Sequence, residues 1–218
     1  MTGAELLTYV KRRLAENGLT LESDRAAELY DYITDGRDDV LQELALDAPD
    51  AVKETVTLQV VTTDPPVWKI PDATKDLLRI LELRDAGTGY VLTPSSSLNN
   101  DGGSYRLNSP RRVQLADDAI LTGDLEADVI TSKAAIAAGT AEADIGLPVP
   151  CHRAIGLCAA VLALTADEES DARTATALYG RSLDRLKKLY GDFDRNSGLA
   201  LREAFMASEG DLHGDMIN

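Results

Sequence analysis

Residues 147–191 read LPVPCHRAIGLCAAVLALTADEESDARTATALYGRSLDRLKKLYG, and this stretch decides the fold. Pro148 and Pro150 end the preceding segment, and proline suits a first helical turn because its missing N–H is not needed there. From Cys151 to Leu164 nearly every residue is small or apolar, which predicts a buried helix. At about 15 residues this helix is shorter than the roughly 20 that a membrane span needs.

A second helix is expected to fold back on the first. It should follow a polar turn over Thr165–Ser170 and end at Tyr190. Its apolar residues recur every three or four positions: Ala172, Ala175, Leu178, Tyr179, Leu183, Leu186 and Leu189. Lys187 and Lys188 in the last turn complement the helix dipole, and Gly191 is expected to form a left-handed cap.

Two further helices are predicted near the N-terminus. Thr2 and Glu5 have the capping-box spacing, and Gly18 should end the helix that they begin. Ser23 is the cap candidate of a longer helix, which Pro49 closes. Apolar residues keep the helical spacing in both: Leu6, Leu7, Val10 and Leu14 in the first, and Ala26, Leu29, Tyr30, Ile33, Val40, Leu41 and Leu44 in the second.

Between the two helix pairs the sequence period changes to that of β-strands. Alternation predicts a strand over Thr55–Val60, and a turn at Pro65 and Pro66 leads to a short strand over Val67–Pro71. The other expected elements are strands over Leu77–Leu83 and Gly89–Thr93, an exposed loop over Pro94–Ser104, a hairpin of Tyr105–Leu107 with Arg112–Leu115 through Asn108-Ser109-Pro110, and a weak strand over Leu125–Ile136.

This order of elements predicts an α+β fold. Two N-terminal helices (residues 1–50) and a C-terminal helical hairpin (147–191) form a helical bundle, into which a small antiparallel β domain (51–146) is inserted. An extended tail (192–218) should dock on a partner, because it is polar but carries scattered apolar anchors. These predicted partner-binding residues are Phe193, Leu199, Leu201, Phe205, Met206, Leu212, Met216 and Ile217.

The charge balance argues against a groove that grips nucleic acid. The chain has 218 residues and a formal net charge of −15, whereas such grooves neutralise phosphates with lysine and arginine. An acidic surface remains compatible with DNA that moves past without sticking. No segment resembles a signal peptide or membrane span.

The sequence offers little for catalysis. Cys151 and His152 could be a nucleophile and its base, but neighbours on a helix point about 100° apart, which favours a structural cysteine beside a surface histidine. Cys158 lies two helical turns from Cys151, about 10 Å along the axis, too far for a disulfide. The sequence contains no phosphate-binding loop, dinucleotide-binding glycine pattern or clustered Cys/His metal spacing, so we predict neither an enzyme nor a cofactor.

One stretch partly resembles a calcium-binding loop of the EF-hand type. Oxygen-bearing side chains at Asp192, Asp194, Asn196 and Glu203 match positions one, three, five and twelve of such a loop. The sharp turn at position six wants glycine, and this chain has Ser197 there. A calcium-responsive binding module is therefore the alternative function, and a turn-rich hinge is the structural interpretation of the same residues.

The layout as a whole resembles the head-to-tail adaptor (connector) proteins of tailed viruses. The resemblance lies in the order of the elements over residues 5–191. Two N-terminal helices end near Pro49, and a strand follows over Thr55–Val61. Trp68-Lys69-Ile70-Pro71 stands where the family has an aromatic, a polar and an aliphatic residue followed by proline. A proline-started helix and a last helix rich in alanine and arginine complete the pattern.

The resemblance implies a structural virion protein at the head-tail junction, assembled in the host cytoplasm. Such adaptors form a twelve-fold homo-oligomeric ring between the portal and the tail or stopper protein. Double-stranded DNA passes through the ring's channel without specific binding, and no membrane is involved. The C-terminal segment of the family engages the portal, which assigns that role to the apolar anchors of the tail.

Overall fold

A computed structural model of the protein describes residues 1–19, 25–63, 66–72, 74–95, 103–116, 123–167 and 171–191. They form two compact units. The helical unit contains Met1–Ala51 and the described residues from Ala135 onward, and the β unit contains Val52–Ala134. The chain therefore leaves the helical unit after its second helix and returns to it before its third. The protein is α+β, as predicted.

The helical unit contains four α-helices within the described residues. They are α1 (Gly3–Glu16), α2 (Ala26–Asp47), α3 (His152–Ala166) and α4 (Arg173–Gly191). The predicted capping box begins α1: the Glu5 N–H donates to Thr2 Oγ1 (3.3 Å), and the Thr2 N–H donates to the Glu5 carboxylate (2.8 Å). Gly18 follows this helix with a φ of +84°, in the left-handed region that favours glycine. Ser23, the expected cap of the next helix, lies outside the described residues.

Helix α3 is the centre of the helical unit. Ten of its 15 residues are buried, and α1, α2 and α4 all pack against it. Two glycines allow the close approach: a Cβ atom at Gly36 of α2 would lie 2.9 Å from backbone atoms of Ile155 and Ala159, and one at Gly156 of α3 would lie 2.5 Å from the Tyr9 ring of α1. Both distances are closer than packed atoms tolerate, so α2 meets the α3 backbone at Gly36 and the Tyr9 ring of α1 packs directly on the α3 backbone at Gly156.

The ends of the C-terminal helices differ from the prediction. A 3₁₀ turn, Val149–Cys151, leads into α3, and this helix continues to Ala166. Thr165 is therefore helical rather than part of the turn, and its hydroxyl donates to the Val161 carbonyl (2.7 Å). Gly191 is the last described residue of α4 and does not have a positive φ, so the predicted left-handed cap is wrong.

The apolar helical stretch is longer than the sequence suggested. Val149–Ala166 comprises 18 residues with a mean hydropathy of 1.5, long and apolar enough to cross a membrane. In the structure 61% of these residues are buried against protein, which is the pattern of a core helix.

The segment after the β unit is tied to the N-terminal helices. The Ile136 N–H donates to Thr34 Oγ1 of α2 (3.0 Å), and the Gly3 N–H of α1 donates to the Thr140 carbonyl (2.9 Å). A short 3₁₀ helix, Glu142–Ile145, follows. These bonds fix the returning chain before it enters α3.

The β unit contains two sheets. Its strands are β1 (Glu54–Thr57), β2 (Gln59–Thr63), β3 (Pro66–Lys69), β4 (Leu77–Asp85), β5 (Thr93–Pro94), β6 (Ser104–Ser109), β7 (Arg112–Leu115) and β8 (Leu125–Thr131). One sheet has the order β1-β8-β4 and the other β2-β3-β7-β6-β5. All pairs are antiparallel except β5 with β6, which is parallel. Buried side chains from both sheets, including Trp68, Leu83, Val113 and Leu125, form one core.

The predicted strand over Thr55–Val60 is instead two strands in different sheets. β1 pairs with β8, whereas β2 pairs with β3. The chain crosses between the sheets at Leu58, which is buried and whose N–H donates to the Leu125 carbonyl (2.8 Å). Alternation continues through the crossing, so the local pattern did not reveal it.

The predicted strand over Gly89–Thr93 is also wrong. Gly89 lies in a turn with a φ of +71°, and the following residues run back along the end of β4 through a single bridge between Arg84 and Val91. The chain then joins the other sheet, where Thr93 pairs with Ser104.

The predicted hairpin is confirmed, with a different turn. β6 and β7 pair antiparallel, with Tyr105 opposite Leu115 and Leu107 opposite Val113. Ser109 pairs with Arg112, so the connection is Pro110 and Arg111 rather than Asn108-Ser109-Pro110. β4, predicted over Leu77–Leu83, and β8, predicted weakly over Leu125–Ile136, are both present.

Replacement of Gly36 by alanine should destabilise the protein. The new methyl group would meet the α3 backbone, which cannot rotate away, and overpacking of this kind costs about 1–3 kcal/mol. Gly180→Ala in α4 is the control: a Cβ there meets no described atom within 4 Å, so the better helix propensity of alanine should stabilise by about 0.5–1 kcal/mol. Urea unfolding of both variants measures the difference, and equal stabilisation by the two changes would contradict this packing.

Candidate functional site

The helical hairpin is joined by two tyrosine–cysteine contacts. Tyr190 of α4 lies beside Cys151 at the start of α3, and Tyr179 lies beside Cys158, two helical turns further along α3. The Cys158 thiol also donates to the Asp39 carboxylate of α2 (3.5 Å). These contacts join the antiparallel helices α3 and α4 at two points. The Asp39 contact joins α2 to α3 at Cys158.

Both thiols are poorly suited to nucleophilic chemistry. They are free and buried, and burial raises the pKa of Cys151 and of Cys158 to about 12. A thiol with such a pKa is almost entirely protonated at neutral pH, and only the thiolate attacks. The structure therefore disfavours the alternative in which Cys151 is a catalytic nucleophile.

His152 is buried, so the prediction of a surface histidine is wrong. Its Nε2 lies 3.1 Å from the Leu147 carbonyl oxygen, which can only accept, so Nε2 carries the proton. Its Nδ1 lies 2.8 Å from the amine of Met1. Desolvation lowers the pKa of His152, which favours the neutral ring. Both ring nitrogens thus have partners other than Cys151, so the interactions of His152 are those of a structural residue.

Helix α4 is only partly enclosed by its own unit. Ala175 and Leu186 are its buried residues. The other members of its predicted apolar stripe within this helix are half-buried: Leu178, Tyr179, Leu183 and Leu189. A helix whose apolar stripe is left partly open is a candidate surface for contact with another protein chain.

An ion-pair cluster holds the last turn of α4 against α2. The Lys187 ammonium lies 2.7 Å from a carboxylate oxygen of Glu43 and 2.7 Å from one of Asp47. Hydrogen bonds to Asp47 and Glu43 raise the pKa of Lys187 to about 12. Because the pKa is raised, this stabilisation is present below pH 10.5 and is lost as the pH rises through about 12.

The β unit exposes several large apolar side chains. Val60 and Val61 lie on β2, an edge strand, and are 56% and 41% exposed. An edge strand with exposed valines presents unpaired backbone groups that another strand can use. Leu78, Tyr90, Val91 and Leu107 are exposed elsewhere in the unit.

An open groove of about 400 Å³ lies between β4 and the strands β5 and β6 of the same unit. It is lined by Arg79, Ile80, Pro94, Ser95, Tyr105, Arg106 and Leu107. The Arg106 guanidinium donates to the Gln114 side-chain oxygen (2.9 Å). The lining has arginine and hydroxyl groups but no histidine, cysteine or carboxylate, so it is suited to weak binding rather than acid–base chemistry.

Two sequence-based predictions fall outside the described residues. The calcium-like loop with Asp192, Asp194, Asn196 and Glu203 lies in residues 192–218. So do all the predicted partner-binding residues: Phe193, Leu199, Leu201, Phe205, Met206, Leu212, Met216 and Ile217. Within the part of the chain that the structure describes, no three His, Cys, Asp or Glu side chains cluster to hold a metal ion.

Several structurally important polar residues were not predicted. Arg37 of α2 is fully buried and pairs with Asp38, with Nη2 2.7 Å from the carboxylate. The helical phase of Arg37, shared with Ile33 and Leu41, is the signal that could have predicted its burial. The contacts of Lys187 join residues about 140 positions apart, which no local pattern predicts.

No model of a known protein family matches this chain, and no curated protein matches its sequence. The adaptor resemblance therefore remains a proposal.

Cys151 and Cys158 should not react with a thiol reagent at pH 8 while the protein is folded. Both are buried and protonated, so modification should require unfolding, and both should react fully in guanidinium chloride. Absorbance with a chromogenic disulfide reagent measures this, and Cys158→Ala isolates the Cys151 thiol. Fast modification of Cys151 in the folded protein would restore the reactive-cysteine alternative.

Lys187→Ala should lower the free energy of unfolding by about 0.5–1 kcal/mol, because it removes a partly exposed ion pair with two carboxylates. Lys188→Ala is the matched control, since this exposed neighbour forms no ion pair with another described residue. Urea unfolding at low and high salt should show a difference that shrinks with salt. Equal effects of the two substitutions would mean that the ion-pair cluster contributes nothing.

Proposed function

We propose that this protein is a structural ring component of a tailed virus, the adaptor that joins the portal to the tail or stopper. The observation that carries the proposal is the incomplete enclosure of helix α4. Its apolar stripe is partly exposed in the single chain, whereas most of α3 beneath it is buried. Sister copies packed side by side would cover such a surface.

The architecture supports the proposal. The chain runs α1, α2, the β unit, α3 and α4, which is the order that the adaptor resemblance implies. The helical unit would form the body of the ring. The β unit, inserted between α2 and α3, exposes an edge strand and apolar side chains that could meet the next ring of the tail.

The electrostatics support a channel rather than a nucleic-acid site. With a net charge of −15, the ring would repel the phosphates of DNA moving through it. The Cys151 thiol is buried and protonated, and both ring nitrogens of His152 have other partners, so neither residue favours a catalytic function. The tail residues from Phe193 to Ile217 retain their predicted role as portal anchors.

The test is the mass and shape of the assembled protein. Native mass spectrometry and negative-stain electron microscopy of the full chain, alone and with the portal protein encoded in the same genome, should reveal closed rings with a channel. The expected mass is about twelve times that of the 23.4 kDa subunit. Deletion of residues 192–218 should leave ring formation intact and abolish portal binding. A strict monomer that ignores the portal would refute the proposal.

A further inference from the structure

The outer face of helix α2 is acidic. This helix contains seven carboxylates and one arginine, and that arginine is buried. Asp31, Asp35, Asp38, Gln42 and Leu46 recur at intervals of three or four and lie on one side of the helix, opposite its buried residues. We call these five residues the acidic face. Its Leu46 side chain is 72% exposed.

The outer face of helix α4 is basic. This helix contains five basic residues and one carboxylate, in a chain whose net charge is −15. Arg173, Ala177, Arg181, Arg185 and Lys188 share one side of the helix, are all exposed, and point away from the residues that contact α3. We call these five residues the basic face; Asp184 lies within it.

Most charges on the two faces are not neutralised inside the helical unit. Among the described residues, Asp31 and Asp35 have no cation within ion-pair distance, and Arg181, Arg185 and Lys188 have no carboxylate within it. Asp38 pairs with the buried Arg37, and Arg173 lies 3.9 Å from Asp171. The faces therefore keep their charges available for another molecule.

From this charge complementarity we infer that copies of the chain join through the acidic face of one copy and the basic face of the next. The inference rests on the proposed ring and names its subunit contact. The two faces belong to different helices, so the contact is head-to-tail, and such contacts generate a ring when the rotation closes. Each face extends over 15 residue steps, about 22 Å, so the two match in length.

The charge spacing selects antiparallel packing of α2 on the neighbour's α4. In that direction Asp31 lies opposite Lys188 and Asp38 opposite Arg181, while Asp35 lies level with Asp184 and one residue from Arg185, so each carboxylate has a cation within one residue of its level. In the parallel direction Asp35 would lie opposite Ala177 and lose its partner. Opposite charges set register and partner choice.

Duplex DNA is a less favourable partner for the basic face than the acidic face of another copy. The face contains Asp184, and the chain carries 37 carboxylates against 22 lysines and arginines, so its field repels phosphates at a distance. A neighbouring copy is acidic overall as well, but its α2 presents carboxylates at the same three-to-four-residue spacing as the cations of α4. DNA binding is therefore an outcome that the test must be able to detect.

Charge reversal tests the inference. Asp31→Lys with Asp35→Lys makes both faces basic, and Arg181→Glu with Arg185→Glu makes both acidic. Each double variant alone should assemble at least tenfold more weakly than wild type, measured by analytical ultracentrifugation, because like charges then face each other. An equimolar mixture should recover assembly, since every acidic face again finds a basic one. Circular dichroism and thermal unfolding check that each variant folds.

Salt dependence and cross-linking add independent readouts. Raising salt from about 0.1 M to about 1 M shortens the Debye length from about 10 Å to about 3 Å and should weaken wild-type assembly. Asp35→Cys with Arg185→Cys should form intermolecular disulfide ladders, whereas Asp35→Cys with Ala177→Cys should not. The native thiols are buried and should not interfere.

The outcomes separate this inference from the proposed ring. If the chain assembles only with the portal, all variants are measured in that mixture. Rings that both reversed variants form as well as wild type would overturn the contact and leave the ring standing. A chain that stays monomeric even with the portal would overturn both. Loss of duplex-DNA binding in the Arg181→Glu, Arg185→Glu variant, with assembly unchanged, would reassign the basic face to phosphates.

Discussion

The burial of helix α3 is the constraint on which the helical unit depends. This helix has almost no polar side, so water must be excluded around most of its circumference. Gly36 lets the α2 backbone approach that of α3, and Gly156 admits the Tyr9 ring of α1, which leaves α4 to cover what remains. Only Ala175 and Leu186 of α4 are buried in this packing, so the rest of its apolar stripe stays partly exposed.

The β unit is inserted between α2 and α3, two of the helices of this packing. The chain leaves the helical unit after α2 and returns to it at Ala135. There the Ile136 N–H donates to the Thr34 hydroxyl and the Gly3 N–H donates to the Thr140 carbonyl, which fixes the chain before α3 begins. The β unit has its own core, drawn from both sheets. An inserted unit with an independent core can change its exposed strands without disturbing the packing around α3, which suits a surface that must match a partner.

The sequence predicted what local periodicity and capping determine. The capping box of Thr2, the apolar run of α3 and the stripe of α4 each correspond to an observed helix. The break at Leu58 was missed because the alternation is uninterrupted, and only the pairing with β8 and β3 reveals two strands. The burial of His152 was missed because its partners come from separate segments. For the candidate surface, periodicity predicted the residues of the α4 stripe, but their partial exposure depends on how α4 packs on α3.

The uneven distribution of charge links the fold to assembly. Copies with a net charge of −15 repel one another, so a stable oligomer requires cations placed where copies meet. Helix α4 carries five of the chain's 22 lysines and arginines in 19 residues, and Lys187 alone turns inward to α2. The remaining four cations, Arg173, Arg181, Arg185 and Lys188, lie on the exposed side of α4, away from α3. Helix α4 therefore covers α3 with its apolar stripe and presents, on its opposite side, the cations through which acidic copies can contact one another.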